Sequence, residues 1–335
     1  MRVLISGAGR MGLRHAQGAI DSRSVSHLTV SDISADALSR AREQLGASVQ
    51  GKDVRFVRQE EVSGAFDTVI VAATASDRIG ACRSLLGLSP RHMLVEKPLG
   101  QSLAEVERLV ALFSAHPQVQ ASVNLNMRMY PFVRALKSDL HALPQFSGMK
   151  YVNFTGGTLG IGANGIHYLD LLFHLLDADA ARIEAAAIDD ALIPSGRGPA
   201  FGDFGGWACI QFTRDGAPVG KSILLLSAES TVFGGWEVMG PHGRIRLNEL
   251  EGLRTDILRK AESALPMNRY AGDYLPPVEH RIETPMLGDL TRDWLDSLAA
   301  GTNLLPTLGE SLKVHRLMFD WLSHSRTHKD IFPIT

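Results

Sequence analysis

The first sixteen residues, MRVLISGAGRMGLRHA, limit what this chain can fold into more than any other stretch. Val3 to Ser6 form a short, mostly apolar run of strand type. Gly7, Gly9 and Gly12 follow at G-x-G-x-x-G spacing, and Met11 to Ile20 then reads as a helix. Each glycine is there for a physical reason. Gly7 permits the tight turn out of the strand, Gly9 lets a pyrophosphate approach the backbone, and Gly12 lets helix and strand pack closely. Arg10 and Met11 open the helix, whose exposed N–H groups and positive dipole end face the phosphates. About 20 residues on, HLTVSD ends in Asp32, where the fingerprint calls for an acid. A carboxylate there accepts hydrogen bonds from the adenosine ribose and repels a 2′-phosphate, which favours NAD over NADP. Asp32 also stands where it could cap the helix at Ala35 to Leu45, for which Ser34 is an equally good cap.

Strand-like and helical runs alternate through the first third. Phe66 to Ala73 is a continuous apolar run of the kind found in parallel strands buried on both faces. Ala73 and Thr74 then lie at its carboxyl end, where open α/β sheets bind ligands. A helix from Arg78 to Leu86 leads to the strand HMLVE and to Glu96-Lys97-Pro98. Pro98 stops that strand, Ser102 caps the helix LAEVERLVALF, and Lys97 is held at the lip of the sheet. VNLNMRMYP, from Val123 to Pro131, reads as one more strand and a break, with Asn126 and Arg128 near a crossover between domains.

A chain of 335 residues has room for two domains. Its net charge of −2 supplies no electrostatic footprint for nucleic acid or an anionic membrane. Cys82 and Cys209 lack metal-type spacing and read as small buried hydrophobes. No stretch approaches a membrane helix, and the first strand begins too early to leave room for a signal peptide, so a cytoplasmic protein is expected.

From Met149 onward the alternation gives way to strand-like runs: KYVNFTGG, RIEAAAID, WACIQFT, KSILLLSA, STVFGGWEVMG and RIRLNEL. Their turns are rich in Gly, Asp and Pro, which predicts a sheet domain. Thr255 to Pro285 reads as an irregular excursion. Within this half, GIGANGIHYLDLLFHLLD concentrates the chemistry. Asn164 is a good cap for a helix from Gly165 to Leu176. His167 then sits in the first turn, where the dipole favours neutral imidazole, and Asp170 lies one turn on. His174 shares their face, but two helical turns, ~10 Å of rise, separate the histidines, so no metal site is expected.

GAGRMGLRHA, HMLVEKPLG, the N-x-R-x-x-P of Asn126, Arg128 and Pro131, WEVMGPHGRIRL, and LPTLGESLKVHRLMFDWLSHS together resemble the Gfo/Idh/MocA oxidoreductases, the glucose–fructose oxidoreductase and inositol dehydrogenase family. The resemblance implies an α/β Rossmann domain over 1–122 and an α+β substrate and oligomerisation domain over 123–335, built on a large, mostly antiparallel open sheet with a closing helix near 306–325. It implies NAD as cofactor, with NADP the alternative, bound by Gly7, Gly9, Arg10, Met11, Gly12, Asp32, Ala73, Thr74, Glu96, Lys97 and Asn126. His167 and Asp170 reproduce the family's H-x-x-D. Lys97 and His167 are thus the expected catalytic pair, with Arg128, Asn164 and Asp170 binding a sugar-like substrate, no metal, and a homodimer or homotetramer formed through the sheet. One position departs: four residues before the histidine the family commonly carries aspartate, and here stands Ala163. Two rival readings follow, a nucleotide sensor without catalysis and a dehydrogenase or reductase of a non-sugar alcohol.

Overall fold

The computed structural model describes the chain apart from residues 47, 48, 50, 158, 195–199, 261–272 and 327–330. It divides into two units, the first comprising residues 1–129, 285–312 and Thr335, the second residues 130–284 and 313–334.

The first unit is built on six parallel strands: β1 (Arg2–Ser6), β2 (His27–Asp32), β3 (Asp53–Arg58), β4 (Thr68–Val71), β5 (His92–Val95) and β6 (Gln120–Val123). They lie in the order β3-β2-β1-β4-β5-β6. Val3, Leu4 and Ile5 of β1 and Val69, Ile70 and Val71 of β4 are fully enclosed, as central strands covered on both faces must be. Helices α1 (Arg10–Asp21), α2 (Ala35–Leu45), α3 (Arg78–Leu86) and α4 (Leu103–Ser114) make the crossovers. Strand order reverses between β1 and β4, and a sheet wound this way presents its ligand crevice outside the carboxyl ends at that point. This is the dinucleotide-binding topology that the glycine spacing predicts. The sequence reading passes over β3, a half-exposed edge strand with charged residues at Asp53, Arg55 and Arg58.

The second unit opens with α5 (Pro131–Ala142), which has Pro131 at its first position, where a missing N–H costs nothing. Then come β7 (Lys150–Gly157), α6 (Ile166–Leu176) and β8 (Ala180–Pro194). The hairpin partners β9 (Gly202–Arg214) and β10 (Ala217–Ser227) follow, and β11 (Gly235–Met239), β12 (Gly243–Asn248), β13 (Leu253–Leu258) and β14 (Val278–Arg281) complete the sheet. Its eight strands run β14-β13-β12-β11-β7-β10-β9-β8, all neighbours antiparallel except β7 with β10. α6 packs on this sheet through aromatic contacts: Tyr168 stacks on Phe154 at 3.7 Å between ring centroids, and Phe173 meets Phe212 edge-on at 5.2 Å. Two helices close the chain, α7 (Leu287–Ala299) in the first unit and α8 (Leu308–Leu322), which starts in the first unit and ends in the second. No helix among the described residues is long and apolar enough to cross a membrane.

Four expectations need revision. The change of unit falls after Met129 rather than after residue 122, and residues 285–312 return to the first unit. The strand read into VNLNMRMYP stops at Val123, and Asn126–Met129 form a 3-10 turn. In STVFGGWEVMG only Gly235–Met239 pair as strand. The excursion from Thr255 to Pro285 contains most of β13 and all of β14, while its middle, 261–272, lies outside the described residues.

Candidate active site

In the first unit the glycine turn takes the conformation its residue types allow. Gly7 has φ +109°, a value that L side chains rarely adopt, and its N–H bonds the Ser31 carbonyl at 2.8 Å. At Gly12 a Cβ would stand 1.7 Å from the Gly7 carbonyl oxygen, so helix and turn touch backbone to backbone. At Gly9 a Cβ would meet nothing within 4 Å. Gly9 is the N-cap of α1 but offers no side-chain cap, and the first turn, with Arg10 exposed and Met11 half-buried, holds no acid. The amides of α1 are therefore open to an anion, and the space beside Gly9 is what a pyrophosphate needs.

Asp32 divides its carboxylate between two backbone amides, Ala8 N–H at 2.6 Å and Ser34 N–H at 2.8 Å. Ser34 caps α2 instead, accepting from Ala37 N–H at 3.2 Å. Asp32 thus ties the glycine turn to the end of β2, where the ribose edge of a dinucleotide belongs. These residues fit a dinucleotide.

Ala73 and Thr74 leave β4 half-buried, and Thr74 starts a 3-10 turn over Ala75–Asp77. Next to them is Arg78, which sequence reasoning missed. Only 1% exposed, its guanidinium donates to the carbonyls of Ala73 and Pro98 and so joins the loop after β4 to the loop after β5. Lys97 is half-buried, and its bond to Pro98 is cis. Glu96 is wholly enclosed, its Oε1 2.7 Å from His15 Nε2 and 2.7 Å from Asn124 Nδ2. Burial alone would raise the Glu96 carboxyl. The hydrogen bond and charge of His15, the charge of Lys97 and the amide of Asn124 outweigh it and hold the group at about 2. The enclosed carboxylate thus bears on its neighbour Lys97 through its charge. Asn126 is buried and Arg128 half-buried on the 3-10 turn after β6.

In the second unit the helix bearing His167 starts differently from the expectation. A π turn over Ile161–Gly165 precedes α6, with the Asn164 and Gly165 amides both donating to the Gly160 carbonyl at 2.9 Å. Asn164 therefore lies inside the turn and is not its cap. The cap is Asp203 on β9, only 5% exposed, which accepts from Gly162 N–H at 3.0 Å and Ala163 N–H at 2.6 Å. His167 consequently follows a full turn of helical backbone whose leading amides already face a carboxylate. The field of the helix end, which acts within the first turn, therefore falls on Asp203. His167 and Asn164 are half-buried and Asp170 is 1% exposed. The next residue, Tyr168, has its phenol pushed well up by burial and by the nearby Glu249 carboxylate.

His15, Arg78, Asn124 and Asp203 were not predicted. The first three left a faint sign, a polar residue at a position that folding must bury. Asp203 left none, because its partners lie 40 residues away in sequence.

A six-stranded parallel sheet with an open glycine turn and an acid closing β2 defines a dinucleotide-binding protein. Residues 1–125 match the oxidoreductase family described as having an NAD-binding Rossmann fold, GFO_IDH_MocA. A myo-inositol 2-dehydrogenase from Thermotoga maritima is 29% identical over 113 residues, 33% of this chain and 32% of that protein, so the chain matches about a third of this relative's length. Solved structures share the fold over nearly the whole chain. An oxidoreductase from Agrobacterium radiobacter, in complex with NAD+, L-tartaric acid and magnesium, has a TM-score of 0.73 at 16% identity, covering 98% of this chain and 96% of its own. A UDP-N-acetylglucosamine 3-dehydrogenase from Acidithiobacillus ferrooxidans scores 0.69 at 16% identity, covering 97% of each chain. A 3-ketoreductase from Actinomadura kijaniata, in complex with NADP, scores 0.67 at 18% identity, covering 99% of each.

Proposed function

We propose that this protein is an NAD-dependent oxidoreductase, with NADP the alternative cofactor, acting on a secondary alcohol or the matching ketone of a sugar, polyol or nucleotide sugar. The observation that carries the proposal is Lys97. It stands at the carboxyl end of the sheet whose glycine turn is open to a dinucleotide, and buried Glu96 and Arg78 fix the loop that bears it. The relatives act on an inositol, an amino sugar nucleotide and a ketone, and they favour a sugar-like substrate here. A dinucleotide held at the turn by its pyrophosphate would accept or supply the hydride at its nicotinamide. Lys97 donates a hydrogen bond to the substrate oxygen and offsets the negative charge that develops on it. His167 takes the hydroxyl proton in oxidation and returns it in reduction. Asp170, Asn164 and Arg128 orient the substrate. Asp32, which closes β2, sets the preference for NAD.

Lys97→Ala and His167→Ala should each lower turnover by about 100-fold or more while NADH affinity holds. Unchanged turnover in both would overturn the roles. NADH binding without turnover on any polyol, sugar or nucleotide sugar would instead favour the sensor.

The sheet of the second unit has an outer face suited to a second copy of the chain. Trp207 lies opposite Leu225 and Cys209 opposite Ile223; Trp207, Leu225, Ile223 and Tyr151 are 39% to 54% exposed. A monomer by sedimentation at micromolar concentration would count against pairing through this face.

A further inference from the structure

Around the residue that precedes Lys97 lies an enclosed polar cluster drawn from four segments: His15 on α1, Glu96 after β5, Asn124 after β6 and Thr291 on α7. Its protons can be counted. Thr291 Oγ1 gives its single proton to the Leu287 carbonyl at 2.9 Å, so toward His15 it can only accept. His15 Nδ1, 2.8 Å from that oxygen, therefore carries a hydrogen. On the other side of the ring, Nε2 is 2.7 Å from Glu96 Oε1, which also accepts from Asn124 Nδ2 at 2.7 Å. Glu96 Oε2 is buried without a hydrogen-bond partner. One proton lies in the Nε2–Oε1 bond. Ring and carboxyl thus form a buried, hydrogen-bonded pair.

Stability does not explain such a pair, since apolar side chains of similar volume commonly do as well or better. Its place in the chain does. Glu96 immediately precedes Lys97, and a carboxylate loose at the strand mouth would draw the ammonium onto itself. His15 and Asn124 keep Glu96 below the surface, while Arg78 grips the Pro98 carbonyl on the other side. The groups that act on the Glu96 carboxyl are His15, Lys97 and Asn124, and Arg78 bonds the Pro98 carbonyl.

We propose that His15 and Glu96 are positioning residues that act through Lys97: His15 keeps the carboxylate enclosed, and its negative charge holds the neighbouring ammonium where it meets substrate oxygen. The proposal rests on the role given to Lys97 above.

The test compares wild-type protein, Glu96→Gln and the apolar double variant His15→Leu/Glu96→Met in the full-length chain. Three quantities are read: thermal unfolding, steady-state kinetics with NADH, and the pH dependence of Lys97 acylation by an amine-reactive reagent followed by mass spectrometry. Removing the anion disfavours the charged lysine, so in both variants the midpoint of Lys97 acylation should fall by about one pH unit. Turnover should drop at least about tenfold with the KM for NADH held within about twofold. The double variant should unfold at or above the wild-type temperature, because it leaves no buried charge unpaired. Wild-type turnover together with an unmoved acylation midpoint in the double variant would overturn the proposal and leave the pair a packing element. Should Glu96→Gln not fold, the double variant decides. Should the wild-type protein turn over no substrate, the functional reading falls, and the acylation midpoint still reports whether Glu96 acts on Lys97.

Discussion

Two helices of this protein begin in glycine-rich turns, and their beginnings are treated in opposite ways. α1 follows Gly7-Ala8-Gly9, has no side-chain cap and no acid in its first turn, and has open space at Gly9. The helical run that becomes α6 follows Gly160, and there the chain supplies its own anion: Asp203 takes the Gly162 and Ala163 amides. At Gly160 a Cβ would lie 2.1 Å from the Asp203 carboxylate, so the second turn is filled where the first is open. Glycine at a helix start is thus not in itself a phosphate site. What separates the two is whether the orphan amides are already spent. The comparison also clarifies the departure at Ala163. That position carries no side-chain carboxylate, yet its backbone amide receives one from β9.

The largest effect is expected where backbone meets backbone. Gly12→Ala places a methyl group 1.7 Å from the Gly7 carbonyl oxygen, with no flexible side chain to give way. The turn must part from the helix. A loss on the order of 3 kcal/mol in urea unfolding and disappearance of NADH binding by titration calorimetry are expected. Native affinity in this variant would mean that the closeness of turn and helix is irrelevant to the cofactor.

Asp203→Ala attacks the other helix start. It strips the acceptor from the buried Gly162 amide, the part-buried Ala163 amide and Phe204 N–H, which Asp203 also holds at 2.8 Å. A cost of about 2 kcal/mol is expected, read in the same denaturation, while NADH affinity stays at the wild-type value. Weaker NADH binding would show that the two starts are not independent and would break the comparison.

The legibility of the two turns differs for a physical reason. Everything that shapes the first is local: strand, glycines, helix and the acid at β2 fall within Arg2 to Asp32, and spacing alone gives the topology. The second is shaped from a distance. Nothing near Asn164 reveals that Asp203 will take the amides, so the side chain best suited to cap was expected to do so. The same limit explains Glu96. The sequence shows an acid beside Lys97 at a strand end, and only folding shows His15 and Asn124 enclosing it. Edge strands β3 and β14 went unread because their exposed, charged residues lack the apolar pattern that identifies a strand.

The finest test separates space from conformation at Gly9. Its φ of −72° and ψ of −174° are open to any residue, and a Cβ there touches no protein atom. The fold has no reason to resist alanine. The restriction it places on the unfolded chain favours the native state by ~0.5 kcal/mol, against the roughly 0.5–1 kcal/mol by which alanine is a poorer cap than glycine. Thermal unfolding of Gly9→Ala should therefore stay within about a degree of the wild type. The methyl group nevertheless stands where a pyrophosphate must approach the amides of α1, and NADH affinity should fall by about tenfold, ~1.4 kcal/mol. Gly160→Ala, its counterpart before α6, should reverse the pattern, costing stability against Asp203 and leaving NADH affinity alone. If Gly9→Ala binds NADH like the wild type, the open space beside α1 is not where the phosphates lie, and the contrast between the two helix starts is one of packing only.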